Sequence, residues 1–240
     1  MSDKAAAGDR RPARKQQQRS IVTQQKLLDA AVEAFSEGGF KGTSTRDIAD
    51  RAGVHHPLIT YHFKNKDQLW RAAADRIFRE FNVALVKAMA DVPESRPRAR
   101  AETFIRTYVR YAYNQPALHK FILQESSHPS ARLDWLVRHH LKPLFEIVVK
   151  SLRELQELGI APPGDPAILF NMIRVSAGGL LALAEEIKGT SNIDFDALSC
   201  WCRPDVSPDC FDTGFKLIDP PQELMQLIEG LTSYFSFKLD

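Results

Sequence analysis

The sequence predicts an all-α chain, with an N-terminal three-helix headpiece followed by a larger helical body. Two patterns predict it. Apolar residues recur three and four positions apart, as in Leu27, Leu28, Ala31 and Phe35, and again in Phe104, Tyr108 and Tyr111. Cap and breaker residues (Ser44, Gly53, Pro57 and Asn65) then divide residues 20–66 into short helices. No stretch gives a convincing strand signal, and there are no internal repeats.

The elements follow in order. Residues 1–19 are dominated by Arg, Lys, Gln and Ala and lack large apolar groups, so a disordered basic leader is expected there. A first helix is expected from about Thr23 to Glu37, stopped by Gly38 and Gly39. Ser44 and Asp47 have the spacing of a capping box that starts a second helix. Ile48 and Ala52 share a face of it, and Gly53 can take the left-handed conformation that ends it. Pro57 suits the first turn of a third helix, where its missing N–H costs nothing. Leu58 and Ile59 can point inward, leaving His55, His56, Thr60, Tyr61 and His62 largely outward. A short helix rich in outward donors and rings, placed after such a turn, has the form of a recognition helix in a helix-turn-helix. Asn65 can cap a fourth helix running from Lys66 to about Ala90, long enough to link two bodies.

Beyond Pro93 and Pro97 the period stays helical. Helices are expected over 98–114, 117–127, 130–158 (bent at Pro143) and 165–188. Residues 189–220 hold Gly, Ser, Asn, prolines and all three cysteines, and are expected to form a long loop. An amphipathic helix closes the chain over 221–238. The expected organisation is therefore a leader at 1–19, a helix-turn-helix domain at 20–66, and a ligand-binding and dimerisation domain at 67–240.

Composition narrows the class. At 240 residues the chain can bury a substantial core, and 44% hydrophobic content is ordinary for a soluble protein. No apolar run approaches the roughly 20 residues needed to cross a bilayer, and the charged N-terminus has no signal-peptide core. A cytoplasmic location without membrane contact is expected. Cys200, Cys202 and Cys210 are odd in number and clustered, which argues against a disulfide framework. The net charge of +2 is unevenly placed: residues 1–66 hold 12 Lys and Arg against 7 Asp and Glu, while the remainder is net negative. Positive potential at the helix-turn-helix end suits a polyanion.

Residues 27–69 resemble the TetR family of bacterial transcriptional repressors. The resemblance rests on Leu27, Leu28, Ala30, Ala31, Phe35, Gly38, Gly39, Phe40, Thr43 and Thr45. It continues through Asp47, Ile48, Ala49, Ala52, Gly53, Val54, Tyr61, His62, Phe63, Lys66 and Leu69. It implies a homodimeric regulator, most simply a repressor, that binds a palindromic double-stranded DNA operator and is released by a small hydrophobic effector. In the family, positions matching Thr45, Tyr61, His62 and Lys66 clamp the phosphate backbone. Arg46, His55, His56, Pro57 and Thr60 are the residues expected to reach base edges, with a helix-capping role open for His55. The chain departs from the family at Thr60, where an aromatic is usual, and at His55, where Ser or Thr is usual.

The resemblance also implies an effector pocket in the C-terminal body. Phe104, Tyr108, Tyr111, Phe121, Trp135, His139, Phe170 and Arg174 are its candidate lining, against the plainer reading of an aromatic core. Arg174 is a charge inside an apolar run, and pairing with Glu125 or Glu185 is the simpler account of it. Leu169, Ile173, Ala177 and Leu181, with Leu224, Leu227 and Leu231, supply apolar faces for a dimer interface. No cofactor or metal site is expected: the cysteines lack paired zinc-site spacing, and His139 and His140 are adjacent. No phosphate loop or nucleophile elbow is present, which argues against an enzyme. The alternative reading is a helical dimeric small-molecule-binding module without specific operator binding.

Overall fold

The computed structural model describes residues 10–175, Gly179 and residues 183–191, with side chains from Gln16 onward. All its regular elements are helical. They are α1 (Arg10–Gly42), α2 (Thr45–Ala52), α3 (Pro57–Phe63), α4 (Lys66–Met89), α5 (Pro97–Asn114), α6 (Ala117–Ser126) and α7 (Ala131–Leu136). A π-helical turn (Val137–Leu141), α8 (Lys142–Glu157), α9 (Pro166–Arg174) and α10 (Ala184–Ser191) follow. None of the described helices is long and apolar enough to cross a membrane.

The chain divides into two compact units. The first comprises residues up to Arg79 together with 120–133. Its core is built on Leu27, Ala31, Phe35, Ile48, Ile59, Phe63, Leu69 and Trp70. Trp70 stacks on Phe121 with ring centroids 5.1 Å apart. This unit does not stop at residue 66, where the sequence placed a boundary. Leu69, Trp70, Ala73 and Ala74 turn the first half of α4 inward, and α6 supplies the ring that covers Trp70.

α1 also begins earlier than the sequence led us to expect, so residues 10–19 are helical where a disordered leader was expected. The reason is local. Arg, Lys, Gln and Ala are strong helix formers, and no Gly or Pro interrupts the chain from Ala13 to Glu37. Pro12 sits in the first turn, where it does no harm. The helix is broken by a kink at Gly39, whose φ of 63° is positive, and resumes briefly to Gly42. The positive φ is what calls for glycine; a Cβ would also lie 2.9 Å from Gln124 Oε1, a side-chain end that can move aside.

The second unit comprises residues 80–119 and the chain from Asp134 onward. Here α8 packs against α9 and α5. Leu152, Leu155 and Leu169 form a buried cluster flanked by Ala101, Val148, Phe170 and Ile173. The long helix expected over 130–158 is interrupted. Pro143 has no N–H for the His139 carbonyl and its ring crowds that position, so the chain widens into a π turn, with Lys142 N–H donating to the Val137 carbonyl. The expected single helix over 165–188 is represented by α9 and α10. Gly189, Thr190 and Ser191 continue α10 where a loop was expected. The rest of that expected loop, and the closing helix with Leu224, Leu227 and Leu231, lie outside the described residues, as do Ala177 and Leu181.

Candidate nucleic-acid interface

α2 is fixed at both ends by its own sequence. Ser44 Oγ accepts from the Asp47 N–H at 3.0 Å, and the Asp47 carboxylate accepts from the Ser44 N–H at 3.2 Å. These bonds from Ser44 hold the Asp47 carboxyl below the usual carboxylate range. Gly53 (φ 63°, ψ 39°) closes the helix with its N–H on the carbonyls of Ala49 and Asp50. Arg51 pairs with Glu37 on α1 at 2.8 Å.

α3 buries Ile59 and Phe63, with Leu58 half-buried. That leaves His55, His56, Pro57, Thr60 and Tyr61 exposed, Tyr61 at 75%. His62 is half-buried rather than outward, and burial lowers its pKa. Its ring meets Tyr61 edge-on at 4.9 Å. The N-cap of α3 is His56, not His55, and its side chain makes no cap bond. The ring instead hydrogen-bonds through Nε2 to Thr45 Oγ1 at 2.9 Å. Two residues expected at the DNA, one opening each helix of the motif, are thus tied to one another. Arg46 is exposed beside them.

Lys66 opens α4 after Asn65, whose Oδ1 accepts from the Gln68 N–H at 2.9 Å. Its ammonium lies 4.4 Å from the centre of the Phe40 ring, and the Arg132 guanidinium lies 3.8 Å from the same ring. Burial, then Arg132, lowers the pKa of Lys66. Arg132 is itself held by buried Glu125 through Nε at 3.2 Å, and Glu125 also accepts from Ser130 Oγ at 2.5 Å. The ionic partner that the structure gives Glu125 is Arg132, not Arg174.

Two features escape a reading of the sequence. Arg132 lies 92 positions from Phe40, so no local pattern marks their meeting. Lys64 sits between α3 and α4 at φ 63°, ψ −51°, with the Asn65 N–H on the Phe63 carbonyl at 2.7 Å. That is a γ-turn of the strained kind, and it exposes a cation close to Tyr61 in sequence. The only sequence signal is the Lys-Asn-Lys run itself.

The residues expected to line an effector pocket fall into separate groups. Phe104 stacks on Tyr108 at 6.3 Å, and Phe81 meets Tyr108 and Tyr111 edge-on at 5.9 and 5.2 Å. Burial raises the Tyr108 pKa, and raises that of Tyr111 to about 12. Tyr108 OH bonds His119 Nε2 at 2.6 Å and lies 3.5 Å from the Arg174 carbonyl. Phe121 is elsewhere, in the core of the first unit, because Trp70 occupies its ring face. Trp135 stacks on His139 at the π turn, and Phe170 meets Phe145 in the α8–α9 layer. Arg174 donates to Asn171 at 3.4 Å. Leu169, expected at the dimer interface, is 4% exposed in the single chain, since Leu152 and Leu155 cover it. Among the described residues nearby, Ile168, Val175 and Leu183 are exposed apolar positions.

Residues 27–73 match the family model for bacterial regulatory proteins of the tetR family. The match covers both helices of the motif, the turn and the start of α4. Residues 27–73 thus form a helix-turn-helix domain of the type found in TetR-family regulators. A probable HTH-type transcriptional regulator, YttP of Bacillus subtilis, is 24% identical over 57% of this chain and 68% of its own length. The class D tetracycline repressor of Escherichia coli is 31% identical over 38% of this chain, which spans 41% of that protein. Among solved structures, AibR in complex with isovaleryl coenzyme A and operator DNA shares the fold, with a TM-score of 0.58 at 17% identity over 66% of this chain and 85% of AibR.

Proposed function

We propose that this protein is a homodimeric repressor of the TetR type whose α3 helices enter successive major grooves of a palindromic operator. Half-sites would then lie roughly 34–36 Å apart. The observation that carries the reading is the Thr45–His56 bond between two exposed helix starts. It presets the base-facing end of α3 before DNA arrives, so less side-chain freedom is lost on binding. In this reading Thr45, Tyr61, His62 and Lys66 hold phosphates, and Arg46, His55, His56, Pro57 and Thr60 face base edges. Lys64 joins the phosphate set.

The effector in this reading is a small hydrophobic or amphipathic molecule bound in the second unit near Phe104, Tyr108 and Tyr111, with Arg174 for a polar end. A neighbour of the same fold holding an acyl thioester and operator DNA supports that pairing of ligands. An effector that prefers the DNA-incompetent state by about 1–3 kcal/mol would weaken operator binding 5- to 150-fold.

The test is retention, across a salt series, on DNA from upstream of the protein's own gene. Retention at salt that removes a scrambled duplex is expected. Equal loss from both duplexes would favour a dimeric ligand-binding module without an operator. His56→Ala should redistribute affinity among operator variants, and Tyr61→Ala should weaken all of them alike. Uniform loss from His56→Ala would remove its base-reading role.

A further inference from the structure

We propose that the N-terminal part of α1 is a DNA-binding arm that adds phosphate contacts outside the half-site read by α3. The inference rests on the operator-binding reading above. α1 is continuous from Arg10, and its first fully buried core residue is Leu27. At the α-helical rise, those 17 residues carry the chain ~25 Å beyond the core. That reach is comparable to most of one turn of duplex.

The arm is charged in one sense only. Residues 10–28 contain Arg10, Arg11, Arg14, Lys15, Arg19 and Lys26, and no acidic residue. Helical register places positions 11, 15, 19 and 26 within one sector of roughly 80°. The buried positions Leu27, Ala30, Ala31 and Ala34 lie on a different face. Gln16, Gln17, Gln18, Arg19, Gln25 and Lys26 are exposed. That sector carries four cations and a single exposed apolar residue, Val22, which is too little apolar surface for the core of a protein interface. It does match a polyanion, where each ammonium or guanidinium placed on a phosphate releases a counterion. Gln18 and Gln25, exposed at the edge of that sector, add neutral donors to phosphate and sugar oxygens. The arm leads directly into the helix that packs on α2, so it and the motif belong to one compact unit.

The experiment compares the full chain with a triple variant, Arg11→Gln, Lys15→Gln and Arg19→Gln, on the upstream duplex and on a scrambled one. Glutamine keeps helix propensity, and circular dichroism and the melting midpoint should not move. Neutralising one phosphate-bound cation lowers the slope of log K against log salt by ~0.9, so the variant should lose about 2–3 units per chain on both duplexes. Near physiological salt, affinity should fall by roughly 100-fold for each chain bound, with sequence preference kept. Equal slopes for the two proteins would overturn the arm. So would a variant that loses only its binding to vesicles rich in anionic phospholipid. Failure of the unmodified chain to prefer the upstream duplex would instead count against the operator reading, while a reduced slope on the scrambled duplex would still support the arm.

Discussion

The two units hold their polar groups in opposite ways. In the headpiece, Ser44, Asp47, Thr45, His56 and Asn65 sit at the surface, each partnered by a residue within 11 positions. In the second unit, Tyr108 and His119 are buried together, and His119 Nδ1 has no partner. A surface network can exchange its water for phosphate at small cost, whereas a buried orphan nitrogen costs about 1–3 kcal/mol while it stays unpaired. The difference teaches where this molecule is at rest and where it is poised. The hydrogen bonds of the headpiece surface are complete, and those of the Tyr108–His119 pair are not.

The largest expected effect tests how far the headpiece extends. Phe121 is 2% exposed and stacked on Trp70, so Phe121→Ala should destabilise by about 3–5 kcal/mol in urea unfolding. A cost near 1 kcal/mol would mean that the 120–133 segment is only loosely attached, and the comparison would have to be redrawn at residue 79.

An intermediate effect tests the buried pair. Burial first, then the Arg174 charge, lowers the His119 pKa to about 4. The unfolded chain therefore binds a proton at higher pH than the folded one. The stability that neutral His119 allows is fully present above about pH 6.5 and drains away as pH falls toward 4. The total is on the order of 3 kcal/mol. Unfolding free energies measured from pH 7.5 to 4 should show this decline, and His119→Phe should flatten it. A curve of unchanged steepness in that variant would place the titration elsewhere.

Legibility follows the same division. Ser44, Gly53, Pro57 and Asn65 act on residues within four positions, so their types and spacing are enough to place α2, α3 and the start of α4. Thr45 and His56 each stand out in the sequence, but their bond crosses a turn whose geometry is not encoded residue by residue. Phe121 reads as pocket lining because an aromatic stripe looks the same whether its partner is a ligand or Trp70, 51 positions away. Leu169 reads as dimer surface for a similar reason: helical period marks an apolar face without saying what covers it. The leader reads as disordered because low hydrophobicity signals disorder, while its Arg, Lys, Gln and Ala content favours a helix.

The smallest effect separates geometry from charge at the end of α3. Lys64 has a side chain where φ is 63°, a conformation that costs a non-glycine residue of order 1–3 kcal/mol. Glycine removes the strain but gives back about 0.5–1 kcal/mol of chain entropy. Lys64→Gly should therefore stabilise the free protein slightly, by ~0.5 kcal/mol, while lowering the salt slope of DNA binding by ~0.9 if Lys64 holds a phosphate. Stability rising with no change in slope would leave the residue as a strained turn alone. Both falling would mean that the γ-turn depends on the lysine side chain, and that this corner of the headpiece is less finished than its surface network suggests.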